Sequence, residues 1–95
     1  EKEFGVGTIA FMAPEVMNDE KYDEKADVFS FGTVLLFILS GQMPKISIKD
    51  RMMGKLPSFP SKINEISAKL IKSCWSVNPK DRPSFTDIIK YIQNN

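Results

Sequence analysis

An all-α fold, with one buried central helix followed by two amphipathic helices, is what this sequence predicts. Three observations predict it. Residues 25 to 39 are apolar on nearly every side of a helical cylinder. Two later segments repeat apolar residues at helical spacing. No strand pattern later in the chain offers the partners that a sheet requires.

Residues 1 to 12 read as loop, with room for a short extended piece. Pro14 can open a single helical turn through Glu15, Val16 and Met17, because a first helical position has no intrahelical use for the missing N–H. Asn18-Asp19-Glu20-Lys21 is turn-like. Asp23 then suits an N-cap, with Glu24 and Asp27 placing negative charge where the helix dipole favours it. The helix from about Lys25 to Leu39 ends at Ser40-Gly41, with Pro44 just beyond. A helix this apolar all round belongs at the centre of a larger structure than 95 residues supply.

The stretch 41 to 63, with Pro44, Pro57 and Pro60, reads as irregular apart from a short helix over about Ser47 to Met53. Asn64 caps a helix to about Trp75 whose apolar face is Ile66, Leu70, Ile71 and Cys74, and Asn78-Pro79 closes it off. Ser84 and Asp87 form a capping-box pattern for a last helix over about 84–93, with Phe85, Ile88, Ile89 and Ile92 on one face.

Composition narrows the function classes. One small domain of this size hides only about 60–65% of the surface its unfolded chain exposes. The net charge is +1, and the densest basic stretch, Lys45 to Lys55, holds four cations and one Asp. That is too little one-sided charge for a nucleic-acid footprint. With no His and one Cys, neither a zinc site nor a disulfide framework is expected, which suits a reducing, cytoplasmic setting. Cys74 and Trp75 read as packing residues. The apolar run Val28 to Leu39 is too short to span a bilayer, so no membrane insertion is expected. The opening Glu-Lys-Glu is no signal peptide, and without an initiator Met the chain reads as a piece of something longer.

The string Gly5-Val6-Gly7-Thr8-Ile9-Ala10 fits the G-x-G-x-x-G/A turn of dinucleotide-binding folds. Asp23, Glu24 or Asp27 loosely supplies the acidic residue that such a site needs. The reading fails on its surroundings. Only four residues precede Gly5, too few for the required strand, and Pro14 falls where the helix interior should be, at a cost of about 3 kcal/mol.

Three motifs point elsewhere. Gly7-Thr8-Ile9-Ala10-Phe11-Met12-Ala13-Pro14-Glu15 resembles the segment that leads from the substrate-docking loop of a protein kinase into its A-P-E helix. Lys25-Ala26-Asp27-Val28-Phe29-Ser30-Phe31-Gly32 resembles the start of the central helix of a kinase C-terminal lobe. Cys74-Trp75-Ser76, Pro79 and Arg82-Pro83-Ser84-Phe85 resemble the stretch joining that lobe's last two helices. In order, and covering most of residues 5 to 92, they make the chain similar to the C-terminal third of a eukaryotic protein kinase domain. G-T followed by A-F-M-A-P-E resembles the serine/threonine pattern, and the C-W and R-P-S-F wording resembles that of the tyrosine-kinase-like branch. Phe11 stands where Tyr or Trp is commoner.

The resemblance implies a helical C-lobe fold, with residues 5–17 as docking loop and A-P-E segment. It implies substrate-docking roles for Gly7, Thr8 and Met12, and a buried structural ion pair between Glu15 and Arg82. Asp27 would anchor the backbone of the catalytic loop. It also implies ATP and Mg²⁺ as cofactors of the whole kinase, a protein substrate, and the remainder of the domain as partner. H-R-D, D-F-G and V-A-I-K are missing from these residues, so no catalytic residue, nucleotide or metal is expected within them. Residues 1 to 7 also contain no Ser, Thr or Tyr for an activation-loop phosphosite. A second reading stays open, a natural non-catalytic kinase-like helical module that binds a protein partner through the uncovered side of its central helix.

Overall fold

The computed structural model describes residues 11–42, 48–53, 55, 59–60 and 62–95. Among these residues there is no strand, and the elements run in the predicted order. They are α1 (Pro14–Met17), α2 (Glu24–Ser40), α3 (Ile48–Met52), α4 (Glu65–Cys74), a 3-10 turn (Pro79–Asp81) and α5 (Phe85–Gln93).

Local chemistry sets the boundaries. The Asp23 carboxylate accepts the Lys25 N–H at 2.9 Å and starts α2. Gly41 stops it, adopting φ 74° while its N–H donates to the Phe37 carbonyl at 2.8 Å. The Asn64 side chain accepts the Ser67 N–H at 2.8 Å to start α4. At α5, Ser84 and Asp87 complete the capping box, with Ser84 Oγ accepting the Asp87 N–H at 3.0 Å and Asp87 accepting the Ser84 N–H at 3.3 Å. The Ser84 backbone N–H, helped by its hydroxyl, holds the Asp87 carboxyl below its usual range. One expectation needs correcting. Asn78-Pro79 does not close α4, which has already ended with Trp75 as its C-cap; Asn78 instead caps the 3-10 turn, accepting the Lys80 N–H at 3.0 Å.

The organising interface is α2 against α4. Gly32 makes it possible, because a side chain there would collide with Cys74 and Trp75. Trp75 stacks on Phe29 at 6.1 Å between ring centroids and meets the edge of Phe59 at 6.2 Å. Its indole N–H donates to the buried Thr33 hydroxyl at 3.1 Å, so the ring carries a polar contact beyond packing. Ala13, Ala26, Phe29, Leu36, Ile71 and Trp75 form one core cluster; Val28, Leu70, Cys74 and Ile88 form a second, and Leu35 touches both. Burial pushes the Cys74 thiol from its ordinary 9.0 up to about 11.

The amphipathic faces are only partly covered. Leu70, Ile71 and Cys74 of α4 are buried while Ile66 is exposed, and on α5 only Ile88 is buried. On α2, Val34, Phe37, Ile38 and Leu39 face outward, with Ile38 68% exposed. The described part of this fold thus covers Val28, Phe29 and Leu36 of the central helix and leaves its Val34, Phe37 and Ile38 side uncovered.

Candidate functional site

The most strongly organised polar site joins the start of the chain to its last quarter. Ala13, Pro14 and Glu15 are buried, and the α1 turn follows from Pro14 at its first position. With no side-chain cap, α1 is too short to hold itself. Its position comes from the Glu15 side chain together with Ala13 and Val16, which pack on the core.

Arg82 lies in the extended segment after the 3-10 turn, its side chain fully buried. Its guanidinium grips the Glu15 carboxylate through two parallel bonds, Nη1 to Oε2 at 2.7 Å and Nη2 to Oε1 at 2.8 Å. The remaining donors go to backbone carbonyls. Nε donates to Ser76 at 2.8 Å, Nη1 to Lys25 at 2.9 Å and Nη2 to Val77 at 3.3 Å. All five guanidinium N–H groups are therefore used. The guanidinium carbon also lies 5.0 Å from the centre of the Phe29 ring. A buried pair needs this degree of satisfaction to repay its desolvation.

Lys25 completes the arrangement in a way the sequence did not disclose. While its carbonyl accepts from Arg82, its own ammonium donates to the Arg82 carbonyl at 2.5 Å, giving a reciprocal latch between α2 and the segment before α5. One signal was there to read. A lysine in the first turn opposes the helix dipole and so calls for another reason to be there.

The other expected site residues are placed differently. Gly7 and Thr8 lie outside the described residues. Met12 is half-buried and lines an open cavity of about 350 Å³ together with Phe11, Val16, Tyr22 and Asp27. Asp27 is exposed at the rim of that cavity and has no hydrogen-bond partner among the described residues. Ser30 Oγ donates to the Phe11 carbonyl at 2.5 Å and fixes the segment entering α1 against α2. The structure therefore joins Glu15 to Arg82 and sets Met12 and Asp27 on one cavity, whose wall includes Val16 beside Glu15. Among the described residues no three metal-ligating side chains cluster, and no helix is long and apolar enough to cross a membrane.

Comparison with known proteins fits this geometry. Residues 1–92 match the family model described as protein tyrosine and serine/threonine kinase. A protein of Acanthamoeba polyphaga mimivirus named as a serine/threonine-protein kinase/receptor is 42% identical over 93 residues, covering 90% of this chain and 6% of its own length. The seven transmembrane domain-containing tyrosine-protein kinase 1 of Dictyostelium discoideum is 35% identical over 100 residues, covering 95% of this chain and 14% of its own length. The chain thus spans only a small part of these relatives. The match over 1–92 includes both ends of the Glu15–Arg82 contact, and the chain belongs to the protein tyrosine and serine/threonine kinase family.

Proposed function

We propose that these residues are the substrate-docking and scaffold portion of a serine/threonine protein kinase of the tyrosine-kinase-like branch. The whole enzyme would pass the ATP γ-phosphate to Ser or Thr of a protein substrate. The observation that carries this reading is the bidentate Glu15–Arg82 contact, which ties the A-P-E segment to the R-P-S-F stretch. By fixing Glu15 it fixes the turn that follows Met12, and in this reading Gly7, Thr8 and Met12 would meet a substrate chain. Asp27, exposed and uncommitted at the mouth of the neighbouring cavity, suits an anchor for backbone N–H groups of a catalytic loop.

In this reading these residues hold neither nucleotide nor metal. The family's phosphate- and Mg²⁺-holding motifs are missing from the sequence, and the described acidic side chains are dispersed. ATP and Mg²⁺ are assigned to the remainder of the domain. The free, buried Cys74 suits a cytoplasmic domain, alone or as the inner part of a membrane protein.

The test uses the full-length protein that carries this chain, with labelled ATP, Mg²⁺ and a general protein acceptor, followed by phosphoamino-acid analysis. Phosphoserine and phosphothreonine are expected. Phosphotyrosine alone would overturn the serine/threonine assignment. No transfer, with an endogenous species of about 10.8 kDa, would instead establish the non-catalytic partner-binding module.

A further inference from the structure

The chain has two tyrosines, and they sit in opposite circumstances. Tyr91 is half-buried on α5 and its hydroxyl donates to the Ile66 carbonyl at 2.8 Å. Tyr22 is 66% exposed in the non-helical connection between α1 and α2, and its hydroxyl has no hydrogen-bond partner among the described residues.

Beside Tyr22 lies a cleft of about 320 Å³ between this connection and the 3-10 turn, lined by Lys21, Tyr22, Asp23, Asn78, Pro79 and Lys80. The ammonium groups of Lys21 and Lys80 are exposed and, among the described residues, make no ion pair, whereas the Asp23 carboxylate is already engaged by the Lys25 N–H. An exposed tyrosine and two lysines that make no ion pair among the described residues thus line one cleft, Lys21 on the wall of the connection and Lys80 on that of the 3-10 turn.

We infer that Tyr22 is an acceptor site for tyrosine phosphorylation, with Lys21 and Lys80 receiving the phosphate across the cleft. A separate tyrosine kinase supplies the chemistry from ATP. The bond from the γ-phosphorus to the β,γ-bridging oxygen breaks and its electron pair leaves with ADP. The new bond forms to the Tyr22 Oη, and the phenolic proton passes through that kinase's base to solvent. The product carries about −1.5 to −2 charge at neutral pH. Asp23 and its acidic neighbours repel that charge, and the two lysines offset the repulsion through charge-assisted hydrogen bonds. The phosphate would then bridge the α1–α2 connection and the 3-10 turn that precedes Arg82.

The test treats the folded full-length protein with a tyrosine kinase chosen because it labels the urea-denatured protein at Tyr22. Cleavage after methionine separates residues 18–43, which hold Tyr22, from the fragment that starts at residue 54 and holds Tyr91. Phosphate is expected on the first fragment and at least about tenfold less on the second, because the Tyr91 hydroxyl is engaged. Labelling of Tyr22 only after denaturation would overturn the site. For the lysines, removal of the phosphate by a broad-specificity tyrosine phosphatase is expected to run roughly threefold faster in the Lys21→Ala/Lys80→Ala double variant. Equal rates would overturn their part. The acceptor reading does not depend on this chain's own kinase type, since the phosphate is delivered from outside.

Discussion

Gly32 and Cys74 face one another across the α2–α4 interface so closely that a Cβ on residue 32 would lie 2.9 Å from the Cys74 Cβ and 3.2 Å from the Trp75 ring. Neither neighbour is a flexible chain end that could move aside. Gly32→Ala would gain about 0.5–1 kcal/mol of helix propensity. Against that stands overpacking of a tight interface, typically about 1–3 kcal/mol. Net destabilisation is expected, read as a lower urea midpoint of the whole domain. An unchanged or higher midpoint would mean that the helices separate cheaply.

The Glu15–Arg82 contact predicts a strongly non-additive pair. Glu15→Ala strands a guanidinium among carbonyls and an aromatic ring; Arg82→Ala strands a carboxylate. Each is expected to cost roughly 3–5 kcal/mol in the whole domain. The double variant should cost clearly less than their sum, measured as a denaturation cycle. Strict additivity would mean that the two side chains do not meet in solution.

Cys74 links stability to alkaline pH. Its thiol is held neutral in the core, with its pKa raised from 9.0 to about 11 by burial. The folded state therefore keeps a proton that the unfolded chain releases. This contribution is fully present below pH 9 and fades as pH climbs toward 11. A Cys74→Ala variant is expected to show a flatter decline in stability over that window, although it starts lower because of the cavity. Alkylation of the native thiol at pH 8 should be slow until the protein is unfolded.

Val34 and Ile38 lie four residues apart on α2, with Phe37 beside them, and all three face outward. The 95-residue chain alone is expected to bind ANS and to unfold over a broad thermal range. Ile38→Glu should reduce its self-association in sedimentation runs. The same change should destabilise the full-length protein if the remainder of the domain covers this face. A sharp cooperative transition in the wild-type monomer would count against the uncovered core.

The elements were legible in the sequence where their cause is local. Asp23, Asn64 and Ser84 cap helices within three residues of themselves, and Gly41 stops α2 by its own backbone freedom. Glu15 and Arg82 could be paired only because motifs in order placed them on a known framework; nothing near either residue points to the other. The Ser76, Val77 and Lys25 carbonyls around Arg82 and the Thr33–Trp75 bond were not legible, and the odd place of Lys25 in a first turn showed without its partner. The bonds of Lys25 and Thr33 depend on how α2 lies against α4 and the 3-10 turn, those of Ser76 and Val77 on how residues 76–82 turn back on themselves, and periodicity reports neither. The Asn78-Pro79 pair shows the same limit on a smaller scale. A proline marks a boundary, but whether it ends one element or begins the next depends on the cap before it.

The separation of Glu15 and Arg82 by 67 positions bears on folding order. A contact of that reach has to draw together a long loop, and the entropy of closing it is spent before the ion pair returns anything. The helices between them, which can associate over shorter spans, are placed to form first, and the clasp then closes over a structure already assembled. Breaking it should leave the rate of folding nearly unchanged and quicken unfolding. The pair therefore acts less as a seed for this fold than as the bolt that sets how long the Pro14–Met17 turn stays in place.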